Sequence, residues 1–174
     1  IPGVCNFQSP GWRAVNAMAA RGVPVTFGRM SQGGAKWDDF QYQLQAAIEQ
    51  GICGAGVIAV LPTFTSNDAN TAAGHWLRSQ QLVTMAQAAG AQVALVGPMC
   101  STTHDQTRLD VRSMMLASGL PCVDTGAAIG LPADPSVFAE GMCGDPSGYA
   151  VHPSNAANAA LGPAHDAMLT GVIG

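Results

Sequence analysis

Ala55-Gly56-Val57-Ile58-Ala59-Val60-Leu61 is an apolar run without a polar break. A strand with one wet face alternates apolar and polar residues, whereas a continuous run marks a strand covered on both faces, as in a parallel sheet. The longest apolar stretch of the chain, 51–61, contains this run and is too short to cross a bilayer, so no membrane span is expected. On its C-terminal side comes a polar loop, 63–71, and then a helix over 75–89 closed by Gly90. Gln92-Val93-Ala94-Leu95-Val96 reads as another buried strand, halted by Gly97-Pro98. A helix over 105–118 with Gly119 behind it leads to a last short strand, 121–123. Residues 125–148 are long and rich in Gly and Pro, and are expected to be irregular apart from a turn at 136–140. The final helix is expected over 154–169.

On the N-terminal side, Trp37, Phe40, Leu44, Ala47 and Ile48 share one face of a helix that ends before Gly51. Before it lie a tight loop, 31–34, and a strand over 23–27 with Pro24 among its first residues. Trp12, Val15, Met18 and Ala19 recur at helical spacing over 12–20, stopped by Arg21-Gly22. A short strand, 4–7, ends at Gln8-Ser9-Pro10-Gly11. Strand and helix thus alternate with glycine stops and short links, which predicts an α/β chain with a parallel sheet and helices on both faces. Right-handed crossovers place the strand-to-helix loops at one sheet edge, where ligands bind in open sheets. Ser9, Gly33, Asn67 and Cys100 should gather there. No repeat is visible, and a single domain over 1–174 is expected.

Hydrophobic residues make up 48% of the 174 and charged residues only 10%, with Lys36 the sole lysine. That is a globular composition, and its surface must be clothed largely in uncharged polar groups. A net charge of −4 gives no electrostatic footprint for nucleic acid. Cys5, Cys53, Cys100, Cys122 and Cys143 show neither a C-x-x-C pair nor finger spacing, which argues against a metal centre; no cofactor is expected. Cys100 and Cys143 fall on loops of the same edge, where a disulfide is feasible. Ile1-Pro2 reads as the start of a processed or excised chain and not as a retained signal peptide. The scarcity of lysine leans toward an extracellular or particle-associated protein; oligomeric state is left open.

Candidate chemistry centres on Tyr149-Ala150-Val151-His152-Pro153-Ser154, ahead of an alanine-rich helix. Pro153 suits the first helical position, and Ser154 or Asn155 can cap. His152 would then stand at the mouth of that helix, placed to take a proton from a nucleophile. The plainer alternative is a loop histidine without chemistry.

A serine after the first strand, glycine after the second, asparagine after the third and histidine before the last helix together resemble the SGNH (GDSL-type) hydrolase family. The likeness runs from Phe7 to Leu161. Its clearest parts are Val57-Ile58-Ala59-Val60-Leu61 leading to Ser66-Asn67-Asp68, the stretch from Ala88 to Pro98, and Val151-His152-Pro153. The resemblance implies a three-layer, flavodoxin-like sheet of five parallel strands in the order 2-1-3-4-5. It implies Ser9 as nucleophile and His152 as general base. The Ser9 backbone N–H, the N–H of Gly33 or Gly34, and the Asn67 amide would form the oxyanion hole. The substrate would be an O-acyl ester, small or glycan-borne.

The chain departs from the family where Phe7-Gln8-Ser9 replaces Gly-Asp-Ser, and where Thr65-Ser66-Asn67-Asp68 replaces Gly-x-Asn-Asp. Tyr149 stands where the family carries its acid, so Asp145 or a bare Ser–His dyad must serve. These losses favour the other class, a non-catalytic module of the same fold with a glycan-binding or structural role, as on a virus-like particle. Each motif also has a structural reading. Ser9 before Pro10 is a good helix cap, Asn67-Asp68 can shape an Asx loop, and His75 and His104 can simply decorate helix starts. Trp12, Trp37 and Trp76 read as core-facing residues of their helices.

Overall fold

The computed structural model describes residues 9–28, 34–144 and 152–173. The apolar run becomes β1 (Ile58–Pro62), which pairs in parallel with β2 (Gln92–Val96) from Ile58 opposite Gln92 to Pro62 opposite Val96. β2 pairs in parallel with β3 (Cys122–Val123), so these three strands lie in chain order across one sheet. The connections are helical: α3 (Ala72–Ala88) links β1 to β2, and α4 (Gln106–Ala117) links β2 to β3. α1 (Pro10–Ala20) and α2 (Trp37–Glu49) precede the sheet, and α6 (Asn155–Ile173) closes the described chain.

The side chains of β2 show why the sheet needs helices on both faces. Val93 and Leu95 enter a core with Trp37, Leu44, Leu82, Ala86 and Met115 from α2, α3 and α4. Ala94, on the opposite face, joins Ile129, Phe138, Ala157, Leu161 and Met168. Alternation along one strand therefore divides the buried apolar residues into two layers. β1 departs from the expectation of full cover, because Val60 is 41% exposed. α6 packs over β2 and β3, and Ile58 of β1 reaches the same cluster.

Two further expectations are corrected. Residues 23–28 join no ladder among the described residues. Val23 instead gives its N–H to Met18 O to close α1, and Pro24 has no N–H to offer a partner. The stretch after 125 is not irregular: α5 (Thr125–Ile129) runs into a hairpin of β4 (Gly130–Leu131) and β5 (Asp134–Phe138). β5 is tied to the loop beyond β2 by Ser101 N to Ser136 O at 2.7 Å and Phe138 N to Ser101 O at 2.9 Å. The expected strand at 4–7 lies outside the described residues.

Candidate functional site

Ser9 is the N-cap of α1, with extended backbone, and its hydroxyl accepts from Trp12 N at 3.4 Å. Pro10 follows at the first helical position, where its missing N–H costs nothing. At the other end of the chain the capping residue is Ser154, and Pro153 stands outside the helix and not within its first turn. Ser154 Oγ accepts from Ala157 N at 3.1 Å and donates to Gly141 O at 2.7 Å. Backbone bonds from Gly144 N to His152 O and from Ser154 N to Met142 O, 2.9 and 2.8 Å, fix the chain around His152. The imidazole itself is exposed.

α1 and α6 pack along their lengths, and their contacts give their relative direction. Arg13 lies against Gly162, whose absent Cβ would be only 3.1 Å from the Arg13 Cβ. Farther along both helices, the Arg21 guanidinium grips Asp166 at 2.6 and 2.8 Å and reaches Thr170 Oγ1 at 3.2 Å. Rising numbers on one helix meet rising numbers on the other, so the helices are parallel. Their N-terminal ends, carrying Ser9 and His152, therefore lie toward the same end of the pair. The two side chains share no hydrogen bond among the described residues.

The Asn67 loop is laced to the segment that follows Gly34. Asn67 Nδ2 and Thr65 Oγ1 both donate to Ala35 O at 3.0 Å, and Asn67 N donates to Thr65 Oγ1 at 3.2 Å. Asp68 Oδ2 accepts from Trp37 N at 2.7 Å. Asn67 and Asp68 thus bind another loop instead of forming an isolated Asx turn. An amide nitrogen has two donors, so Asn67 keeps a second N–H. Gly34 adopts a φ of +75°, which favours glycine, and nothing lies within 4 Å of where its Cβ would be. Gly33, Asp145 and Tyr149 lie outside the described residues.

Two histidines do more than decorate helix starts. His75 is buried in the first turn of α3, and its Nδ1 accepts the Trp37 indole N–H at 2.9 Å. Burial lowers its pKa. His104 is exposed in the loop beyond β2, with Nδ1 2.6 Å from Asp134 Oδ2. The Ser136 hydroxyl, and then His104, hold the Asp134 carboxyl below its ordinary range. No sequence signal pairs these residues, because Asp134 arrives on a hairpin whose short, proline-containing strands carry no alternation. Trp37 is buried as expected, while Trp12 and Trp76 are half-buried.

The Cys100–Cys143 disulfide does not form. The Cys100 thiol is buried, faces Pro135 O at 3.3 Å, and is pushed up to about 11 by burial, which makes it a poor nucleophile. Among the described residues, no group of three or more His, Cys, Asp or Glu side chains could hold a metal ion. No helix there is long and apolar enough to cross a membrane. No family model, no curated protein and no solved structure matches this chain.

Proposed function

We propose that the chain is an SGNH-type serine ester hydrolase that cleaves an O-acyl ester, with glycan-borne esters within its substrate class. The observation that carries this reading is the parallel packing of α1 on α6, which directs Ser9 and His152 toward one end of a helix pair. The order β1-β2-β3 also agrees with strands three to five of a 2-1-3-4-5 sheet, although the stretch expected as its second strand, 23–27, joins no ladder among the described residues. In the reaction His152 takes the Ser9 proton as Oγ attacks the acyl carbon. The oxyanion is received by the Ser9 N–H, the Gly33 or Gly34 N–H and the second Asn67 N–H. The alcohol then leaves with the proton from His152, and water repeats the sequence on the acyl-serine.

His152 needs an acceptor on its other nitrogen, and Asp145 is assigned that role, with Tyr149 assigned to binding. The proposed setting is extracellular or on a particle. A fluorophosphonate probe should label the protein at Ser9, Oγ bonding to phosphorus as fluoride leaves and His152 takes the hydroxyl proton. Ser9→Ala should lose both labelling and turnover of a short-chain p-nitrophenyl ester. Equal turnover in the two proteins would overturn the assignment.

A second reading has its own support. Ser9 Oγ already caps α1, and one Asn67 N–H is already given to Ala35. Those bonds give both side chains structural work, as in a non-catalytic module of the same fold with a glycan-binding or structural role. Absence of Ser9 labelling, together with retention on an immobilised acylated glycan, would favour this module.

A further inference from the structure

Trp37, His75, Phe64 and Arg108 form one cluster between elements that are distant in sequence. His75, Trp37 and Arg108 are 1%, 3% and 8% exposed. The His75 ring lies 5.9 Å from the Trp37 ring and 4.4 Å from that of Phe64, and the Arg108 guanidinium sits over the Phe64 ring, 4.7 Å from its centre. Trp37 opens α2 just beyond Gly34, Phe64 belongs to the loop after β1, and Arg108 lies in the first turn of α4. Arg108 is anchored by Met99 O at 2.9 Å and by the Asp105 carboxylate. His75 therefore touches both loops whose lacing holds Asn67 against Ala35: one through Trp37, the other through Phe64.

We infer that His75 is the positioning residue of the proposed site, a latch that when neutral holds the Gly34 and Asn67 loops in register and when protonated lets them part. The inference rests on the assignment of those loops to the oxyanion hole, whereas the latch itself is a property of the fold. An indole N–H can only donate, so Nδ1 must present its lone pair and the ring proton must sit on Nε2. A second proton would set donor against donor at 2.9 Å. The groups facing the ring act in both directions. Asp68 beside Trp37, and Asp105 at the N-cap of α4, favour the cation; Arg108 over Phe64 opposes it. Asp38 of α2 is turned toward Arg78 at the surface. Burial outweighs these charges, so the latch stays closed at neutral pH and opens in acid.

The test follows the Trp37 indole N–H, the Asn67 side-chain amide and the His75 ring by isotope-edited NMR, from about pH 8 to about pH 5. In the unaltered protein, the Trp37 and Asn67 signals should shift with the same midpoint as the His75 ring. Trp37 should also lose its protection from solvent exchange. In His75→Asn, whose amide offers an acceptor that does not titrate, both signals should stay flat over the same range. An Asn67 signal that ignores the His75 titration would overturn the inference, with or without esterase activity. Should His75→Asn not fold, Trp37→Phe supplies the same decision: its Asn67 signal must already sit at the acid-form position at neutral pH. If the ester is turned over, Trp37→Phe should lower kcat with KM unmoved, by up to about 10²-fold, the cost of misplacing a group by an ångström. Absence of turnover with the coupled titration intact would remove the hydrolase reading and leave the latch standing.

Discussion

The Ser79 hydroxyl is fully buried on α3 and has no hydrogen-bond partner among the described residues. A buried donor left without a partner costs stability, so Ser79→Ala should raise unfolding free energy by about 1 kcal/mol in urea titration. The two buried histidines hold opposite tautomers. His75 Nδ1 accepts from Trp37, whereas His165 Nδ1 must donate to Leu161 O at 2.9 Å. Burial lowers both pKa values. A histidine whose folded pKa is lowered takes up its proton more readily when unfolded. Its contribution is therefore complete above the ordinary imidazole range and is lost as pH falls toward the lowered folded value. The lowered carboxyls of Asp134 and Asp166 act in the same direction at still lower pH. Melting temperature should accordingly fall from about pH 7.5 to about pH 5, and pairing His75→Asn with His165→Gln should flatten that slope. His75 was legible only as a polar residue at a helix start, since nothing local announces an indole arriving from Trp37.

The hairpin that follows α5 depends on close backbone approach. A Cβ on Gly130 would lie 2.6 Å from Gly126 O and 2.8 Å from Pro135 O, both backbone atoms that cannot swing aside. Gly130→Ala should cost about 1–3 kcal/mol, the usual range for overpacking. Ser154→Ala, which loses the cap to Ala157 N, should cost about 1 kcal/mol; calorimetry on each variant checks both values. The strands β1 to β3 and the helices between them were readable because apolar runs alternate with helices that end at glycine stops such as Gly90 and Gly119, both at positive φ. The hairpin was not, because its strands are short and Pro135 sits within one of them. Its glycines serve contacts with Pro135, a neighbour that composition cannot name. The Ser9 cap was legible from Ser9-Pro10, and the Ser154 cap was one of two capping residues read from the sequence. The lacing of Asn67 to Ala35 was not, since it joins loops across a fold that must already exist.

Few features tie the molecule together as broadly as the pairing of α1 with α6. The Arg21–Asp166 contact joins residues 145 positions apart, and everything described of the sheet lies between them in sequence. Loop closure over such a distance must be met before the contact returns any stability, so it belongs late on the folding route. The helix that carries Ser9 would then dock only after the rest of the chain has condensed, and the candidate site would be completed by the last step of folding. Interactions absent from the folding transition state govern the lifetime of the native state more than the rate of reaching it. A Gly162→Leu chain, forced apart from Arg13, should refold nearly as fast as the unaltered protein in stopped-flow measurements and unfold markedly faster. The docked pair would thus set how long the protein survives once made.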